Sequence, residues 1–168
     1  MPYGRKQTNR KHFTVISVGS VSISTSAAAP SAFPTLELKD GSAQFSVDQA
    51  SNALRNNGLD VGELVGTLSI QPTAGAGNPR TLYVWSEMSM DGVTWTPIER
   101  SLRTLDVRSG LSSFVTMNSR GDSFPAGAWV RWQMYADDTI TIDTPADVPV
   151  GASVATGYSV LWELAEVI

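Results

Sequence analysis

The chain has 168 residues, of which 42% are apolar and 17% charged, with a formal net charge of −4. That length suits one domain able to bury roughly 70% of its unfolded surface, and its apolar content excludes a disordered chain. With no cysteine and a single histidine, His12, disulfide scaffolds, thiolate metal sites, cysteine nucleophiles and multi-histidine zinc sites are excluded.

The charge is unevenly placed. Residues 1–12 hold Arg5, Lys6, Arg10 and Lys11 and no acid, which leaves eight cations against sixteen acids in the remainder. A basic arm on an acidic body points to a contact with another acidic surface. Four cations bind phosphates weakly and in a salt-dependent way, and the acidic body opposes that contact. Another subunit of an assembly is therefore the expected partner, rather than nucleic acid. No apolar run approaches the roughly 18 residues of a membrane-spanning helix. No apolar core ahead of a small-residue cleavage site marks a signal peptide.

In chain order, Phe13 to Val18 (FTVISV) has the composition of a strand that could join a neighbour's sheet edge. Ser20 to Thr25 alternates, with Val21 and Ile23 on one face. Ser26 to Pro34 carries two prolines and reads as a connector. Leu36 and Leu38, then Phe45 and Val47, mark two short strands. Residues 48–57 (DQASNALRNN) predict a short helix or helical turn, with Asp48 as cap, Ala50, Ala53 and Leu54 inward and Gly58 at its end.

From residue 61 the strand signal strengthens. Leu64, Leu68 and Ile70 share a face; 73–79 is a loop; 80–88 is rich in β-formers. Asp91-Gly92 predicts a tight turn into a partner strand at 95–99. Strands follow at 102–107, 111–117, 128–135 and 139–143. A proline-rich connector (143–151) precedes a last strand within 154–167. The pattern predicts an all-β protein, an antiparallel sandwich or barrel, with the basic arm at 1–12 and a single domain at 13–168.

Catalytic motifs are absent. Gly75-Ala76-Gly77 lacks the Lys-Ser/Thr of a phosphate loop, and no G-x-S-x-G occurs. Asp137, Asp138, Asp143 and Asp147 lack calcium-loop spacing and read as a solvated tip and connector. Arg120-Gly121-Asp122 reads as a turn. No catalytic residue, metal ligand or cofactor is expected. The five tryptophans carry more information. Their size suggests core for Trp85, Trp132 and Trp162. Alternation sets Trp129 opposite Val130, Trp132 and Met134, so it is either core or an exposed anchor for a sugar ring or a protein.

The segment LYVWSEMSMDGVTWTPI (Leu82 to Ile98) resembles a strand–turn–strand signature of β-sandwich proteins in tailed-phage virions, with Ser89, Asp91, Gly92 and Trp95 at its Ser-x-Asp-Gly-x-x-Trp positions. WVRWQ (129–133) and GYSVLWEL (157–164) complete the likeness, over roughly half the chain. Similar turns occur in sugar-binding and discoidin-like sandwiches. The resemblance implies an antiparallel β-sandwich, jelly-roll-like, and a non-enzymatic bacteriophage structural protein of the capsid decoration (cement) type. It would sit on the virion surface, be made in the host cytoplasm, and contact the major capsid protein or other virion subunits as a homo-oligomer, a trimer favoured. Arg5, Lys6, Arg10, Lys11, Phe13 and Val15 are the expected contact residues. The alternatives are a single jelly-roll coat protein, a tail or fibre component, or a carbohydrate- or receptor-binding module resting on Trp129.

Overall fold

A computed structural model describes residues 10–38, 44–58, 62–72, 78–108, 113–116, 123–144 and 160–167. These hold fourteen strands and no helix: β1 (Arg10–Ser22), β2 (Ser31–Ala32), β3 (Thr35–Leu38), β4 (Phe45–Asp48), β5 (Ala53–Asn56), β6 (Gly62–Ile70), β7 (Arg80–Ser89), β8 (Thr96–Pro97), β9 (Arg103–Val107), β10 (Ser113–Thr116), β11 (Ser123–Phe124), β12 (Trp129–Ala136), β13 (Thr141–Thr144) and β14 (Val160–Val167).

They form two antiparallel sheets. The first runs β10-β6-β14-β1-β13, with β3 on β1 and β11 on β6. The second runs β4-β5-β12-β7-β8, with β2 on β12 and β9 on β7. Eight principal strands, β1, β5, β6, β7, β9, β10, β12 and β14, carry the topology. Numbered one to eight in chain order, they lie 1-8-3-6 in one sheet and 2-7-4-5 in the other. That order is the double Greek key of a jelly roll, a β-sandwich of the form the resemblance implies.

Alternation within strands builds the core. Val15, Leu36, Leu68 and Ile70 from the first sheet meet Leu54, Leu82, Val84, Val130, Trp132 and Met134 from the second. Phe45 and Phe124 meet edge to face at 6.3 Å within the same core.

Three expectations are corrected. The first concerns 48–57, which forms the β4–β5 hairpin instead of a helix. Asp48 does cap locally, accepting the Ala50 N–H and the Ser51 hydroxyl. The turn then closes at Asn52, with φ +49°, a left-handed conformation that asparagine tolerates better than most residues. Asn52 Oδ1 accepts the Leu36 N–H at 2.7 Å, and its Nδ2 donates to the carbonyls of Phe33 and Pro34. The next strand therefore starts at Ala53, with Leu54 buried and Ala50 exposed. Replacing Asn52 with alanine is expected to cost about 2 kcal/mol, from left-handed strain and lost hydrogen bonds. Asn52→Gly keeps the backbone freedom and should lose about half as much, by urea denaturation.

The second concerns the arm. β1 begins at Arg10, and Arg10, Lys11 and His12 already pair with Val167, Glu166 and Ala165. Arg5 and Lys6 lie outside the described residues, as do the side chains of 10–14. The third concerns Phe13 to Val18. Phe13–Ile16 pairs with β14 on one side, Val15–Val18 pairs with β3 on the other, and Val15 is fully buried. Val15 and Ile16 are thus paired on both sides, so the middle of that segment has no edge to offer a neighbour, and Val15 is a core residue. Gly19, at φ +116°, marks where β1 passes from β3 to β13. A side chain there would press on Pro34 at 3.3 Å.

Candidate functional site

The second sheet turns an aromatic and arginine-bearing face outward. On β7, Leu82, Val84 and Ser86 are buried beneath the sheet, so period-two alternation puts Tyr83, Trp85, Glu87 and Ser89 on the other face. On β12 the outward set is Trp129, Arg131, Gln133 and Tyr135. The register pairs Trp129 with Ser89, Arg131 with Glu87, Gln133 with Trp85 and Tyr135 with Tyr83. Trp85 is thus half-buried on the outer face, a correction to its expected place in the core. Trp132 is in the core as expected, and the Trp162 side chain lies outside the described residues.

At the centre, Glu87 Oε2 accepts from Arg131 Nε and Nη2, both at 2.8 Å. Glu87 Oε1 accepts the Trp85 indole N–H at 3.2 Å. Three donors satisfy a carboxylate that is nearly removed from water. The Arg131 guanidinium lies over the Trp95 ring at 4.1 Å, a cation–π contact. At one end of the face, Arg55 lies over Trp129 at 4.6 Å, and the Trp129 N–H donates to Asp48 Oδ2 at 2.8 Å. At the other end, Tyr83 stacks on Tyr135 at 4.5 Å, and Tyr135 meets Trp85 edge to face. Trp129, either core or exposed anchor from the sequence, is half-buried on the outer face, and Arg55 already covers its ring. A sugar could stack there only by displacing that guanidinium.

The Ser89-x-Asp91-Gly92-x-x-Trp95 signature has a physical explanation. The Ser89 hydroxyl accepts the N–H groups of Asp91 and Gly92 and donates to Asp91 Oδ1. Asp91 Oδ1 also accepts the Val93 and Thr94 N–H groups at 2.8 and 2.7 Å. Gly92 supplies φ +74°, and a Cβ there would touch the Trp129 ring at 3.5 Å. The motif is a self-capped loop that seats Trp95 beside β12.

Those hydrogen bonds, that of the Thr94 N–H first, hold the Asp91 carboxyl well below the usual carboxylate range. A depressed folded-state pKa contributes stability above the unfolded value of about 3.9, and that contribution is lost as pH falls through the folded value. The Asp91 carboxyl signal followed by NMR should therefore show no titration step between pH 5 and pH 3. A step in that window contradicts the capped loop.

Exposed large hydrophobics among the described residues are Met90, Val93 and Leu102, all on the β7–β8–β9 connections at one edge of this sheet. Asp137 and Asp138 are exposed, and Asp138 pairs with Arg80 at 2.9 Å. Asp147 and the Arg120-Gly121-Asp122 tripeptide lie outside the described residues. Among the described residues, no group of three His, Asp or Glu side chains is placed to hold a metal ion. In comparisons with protein-family models and with curated proteins, the chain matches none.

Proposed function

We propose that this chain is a non-enzymatic structural protein of a bacteriophage particle, of the capsid decoration type. It would bind an assembled shell from outside and touch its own copies around threefold or quasi-threefold positions. The observation that carries the reading is the outer face of β7 and β12. Trp, Tyr and Arg are the residue types that dominate protein–protein hot spots, and this face concentrates them with a flanking edge of exposed apolar side chains. Its tryptophans are fixed by Arg55, Arg131 and Glu87, so little side-chain entropy remains to be lost on binding.

A jelly roll by itself serves capsid and lectin roles alike, so the fold alone does not choose between them. The arginines over Trp95 and Trp129 favour a protein contact over a sugar platform. The basic residues Arg5 and Lys6 would meet acidic surface on a neighbour and speed capture.

The test is co-sedimentation of the full-length protein with expanded, genome-free capsids of the cognate phage. Saturable pelleting is the expected result. Spontaneous shells that protect nucleic acid would assign a coat protein instead. Retardation on a glycan matrix, lost in Trp129→Ala, would assign a carbohydrate-binding module.

A further inference from the structure

Asn57-Gly58 is the chain's one Asn-Gly pair, and it stands just past the end of β5. Asparagine is a thermolabile residue, most of all before glycine, where no side chain hinders attack by the next main-chain nitrogen. Asn57 is exposed to the water that this reaction consumes. The fold nevertheless ties the reacting groups elsewhere. The Gly58 N–H donates to Asn56 Oδ1 at 2.9 Å, and Asn56 has no exposed surface. Asn57 Nδ2 donates to Ser46 Oγ at 2.6 Å, and the Asn57 N–H donates to the Gln44 carbonyl at 2.8 Å. The nitrogen and the carbon that must join are thus held by different partners, one on β5 and one on β4. Asp91-Gly92, open to the same ring closure with loss of water, is locked alike, since the Gly92 N–H donates to Ser89 Oγ at 2.9 Å.

We propose that Asn57-Gly58 is a latent deamidation site, held shut by these hydrogen bonds and turned over only when the end of the β4–β5 hairpin opens. In the opened segment the Gly58 amide loses its proton and its nitrogen attacks Asn57 Cγ. The N–Cγ bond forms, the Cγ–Nδ2 bond breaks, and ammonia leaves with that proton. Water then opens the five-membered imide at either carbonyl and gives aspartate or isoaspartate. Nothing is oxidised or reduced. Either product adds a negative charge at the hairpin. Isoaspartate also adds a methylene to the main chain ahead of Gly58, which displaces Gly58 from Asn56. The Asn56 side chain also holds the carbonyls of Phe124 and Pro125, so conversion loosens the join between β5 and the approach to β12. The inference stands apart from the shell reading.

The test follows Asn57 by peptide mapping and mass spectrometry, in mildly alkaline buffer, with the full-length protein folded or in guanidinium chloride. The folded protein should convert at least about tenfold more slowly, since the opened state is a minor population. Asn56→Ala frees the Gly58 N–H and Ser46→Ala frees the Asn57 amide. Each should raise the folded-state rate at least about threefold, the effect of losing one such hydrogen bond. Leu105→Ala, which opens a cavity on β9 across the same sheet, controls for general destabilisation. It should leave the rate within about twofold of the parent's, since opening of the hairpin end is local. Equal rates for folded and denatured protein overturn the proposal. So does an acceleration by Leu105→Ala that equals that of Asn56→Ala, because global unfolding would then be the gate. A rate unchanged by Ser46→Ala overturns it too, and that variant carries the test should Asn56→Ala fail to fold.

Discussion

Replacing Arg131 with alanine is expected to destabilise the fold by about 3 kcal/mol, because it strands the Glu87 carboxylate in a nearly dry position. The Glu87 side chain is 11% exposed, and one of its oxygens takes both donors from Arg131. The Trp85 N–H, its other donor, neutralises nothing. Loss of the guanidinium also frees the Trp95 ring and loosens the capped loop before it. Glu87→Gln removes the charge but keeps an acceptor for Trp85, so its cost should be about half as large. The double variant Arg131→Met/Glu87→Leu should recover to within about 1 kcal/mol of the parent, since replacing both charges by apolar groups avoids the unpaired ion. Urea denaturation of the parent, Arg131→Met, Glu87→Leu and the double variant closes the cycle. Additive single losses in the double variant would show that the pair is not coupled.

Asn56→Ala should cost a similar amount, about 3 kcal/mol, for a different reason. Asn56 has no exposed surface. Its Nδ2 donates to the carbonyls of Phe124 and Pro125 at 2.9 and 3.2 Å, and its Oδ1 accepts the Gly58 N–H at 2.9 Å. Its main chain also bonds to Gly127 and Ala128. One side chain thus ties the end of β5 to the approach to β12, and alanine leaves two carbonyls and an amide without that partner. In a chain of this size that loss lowers Tm by about 10 °C. Asn56→Asp puts a carboxylate against two carbonyl oxygens. Its deficit should be larger at pH 7 than at pH 4, where protonation restores one donor. A deficit independent of pH would contradict the assigned contacts.

Much of the fold could be read from alternation. The β12 pattern, inward Val130, Trp132 and Met134 against outward Trp129, Arg131 and Tyr135, is plain in the chain, and so is the Asp91-Gly92 turn. The β4–β5 hairpin was not legible, because the Asn52 conformation is fixed by Phe33, Pro34 and Leu36, sixteen to nineteen residues away. Local residues there fit a helical turn equally well. Trp85 was legible but misassigned. It alternates with Leu82 and Val84, yet its size suggests core. The interior position of β1 could not be read locally, since it depends on β14 at the far end of the chain. The outward face was visible only one residue at a time. That Trp85, Glu87, Arg131 and Trp95 form one network depends on the β7–β12 register.

The central claim is that the shell contact lies on the outer face of the second sheet and its apolar edge. Its most direct test is the pelleting assay repeated with Val93→Asp/Leu102→Asp protein. Both side chains are exposed, 80% and 53%, so unfolding free energy should change by less than about 1 kcal/mol. The account predicts a folded protein that no longer sediments with genome-free capsids. A folded variant that pellets as fully as the parent contradicts it.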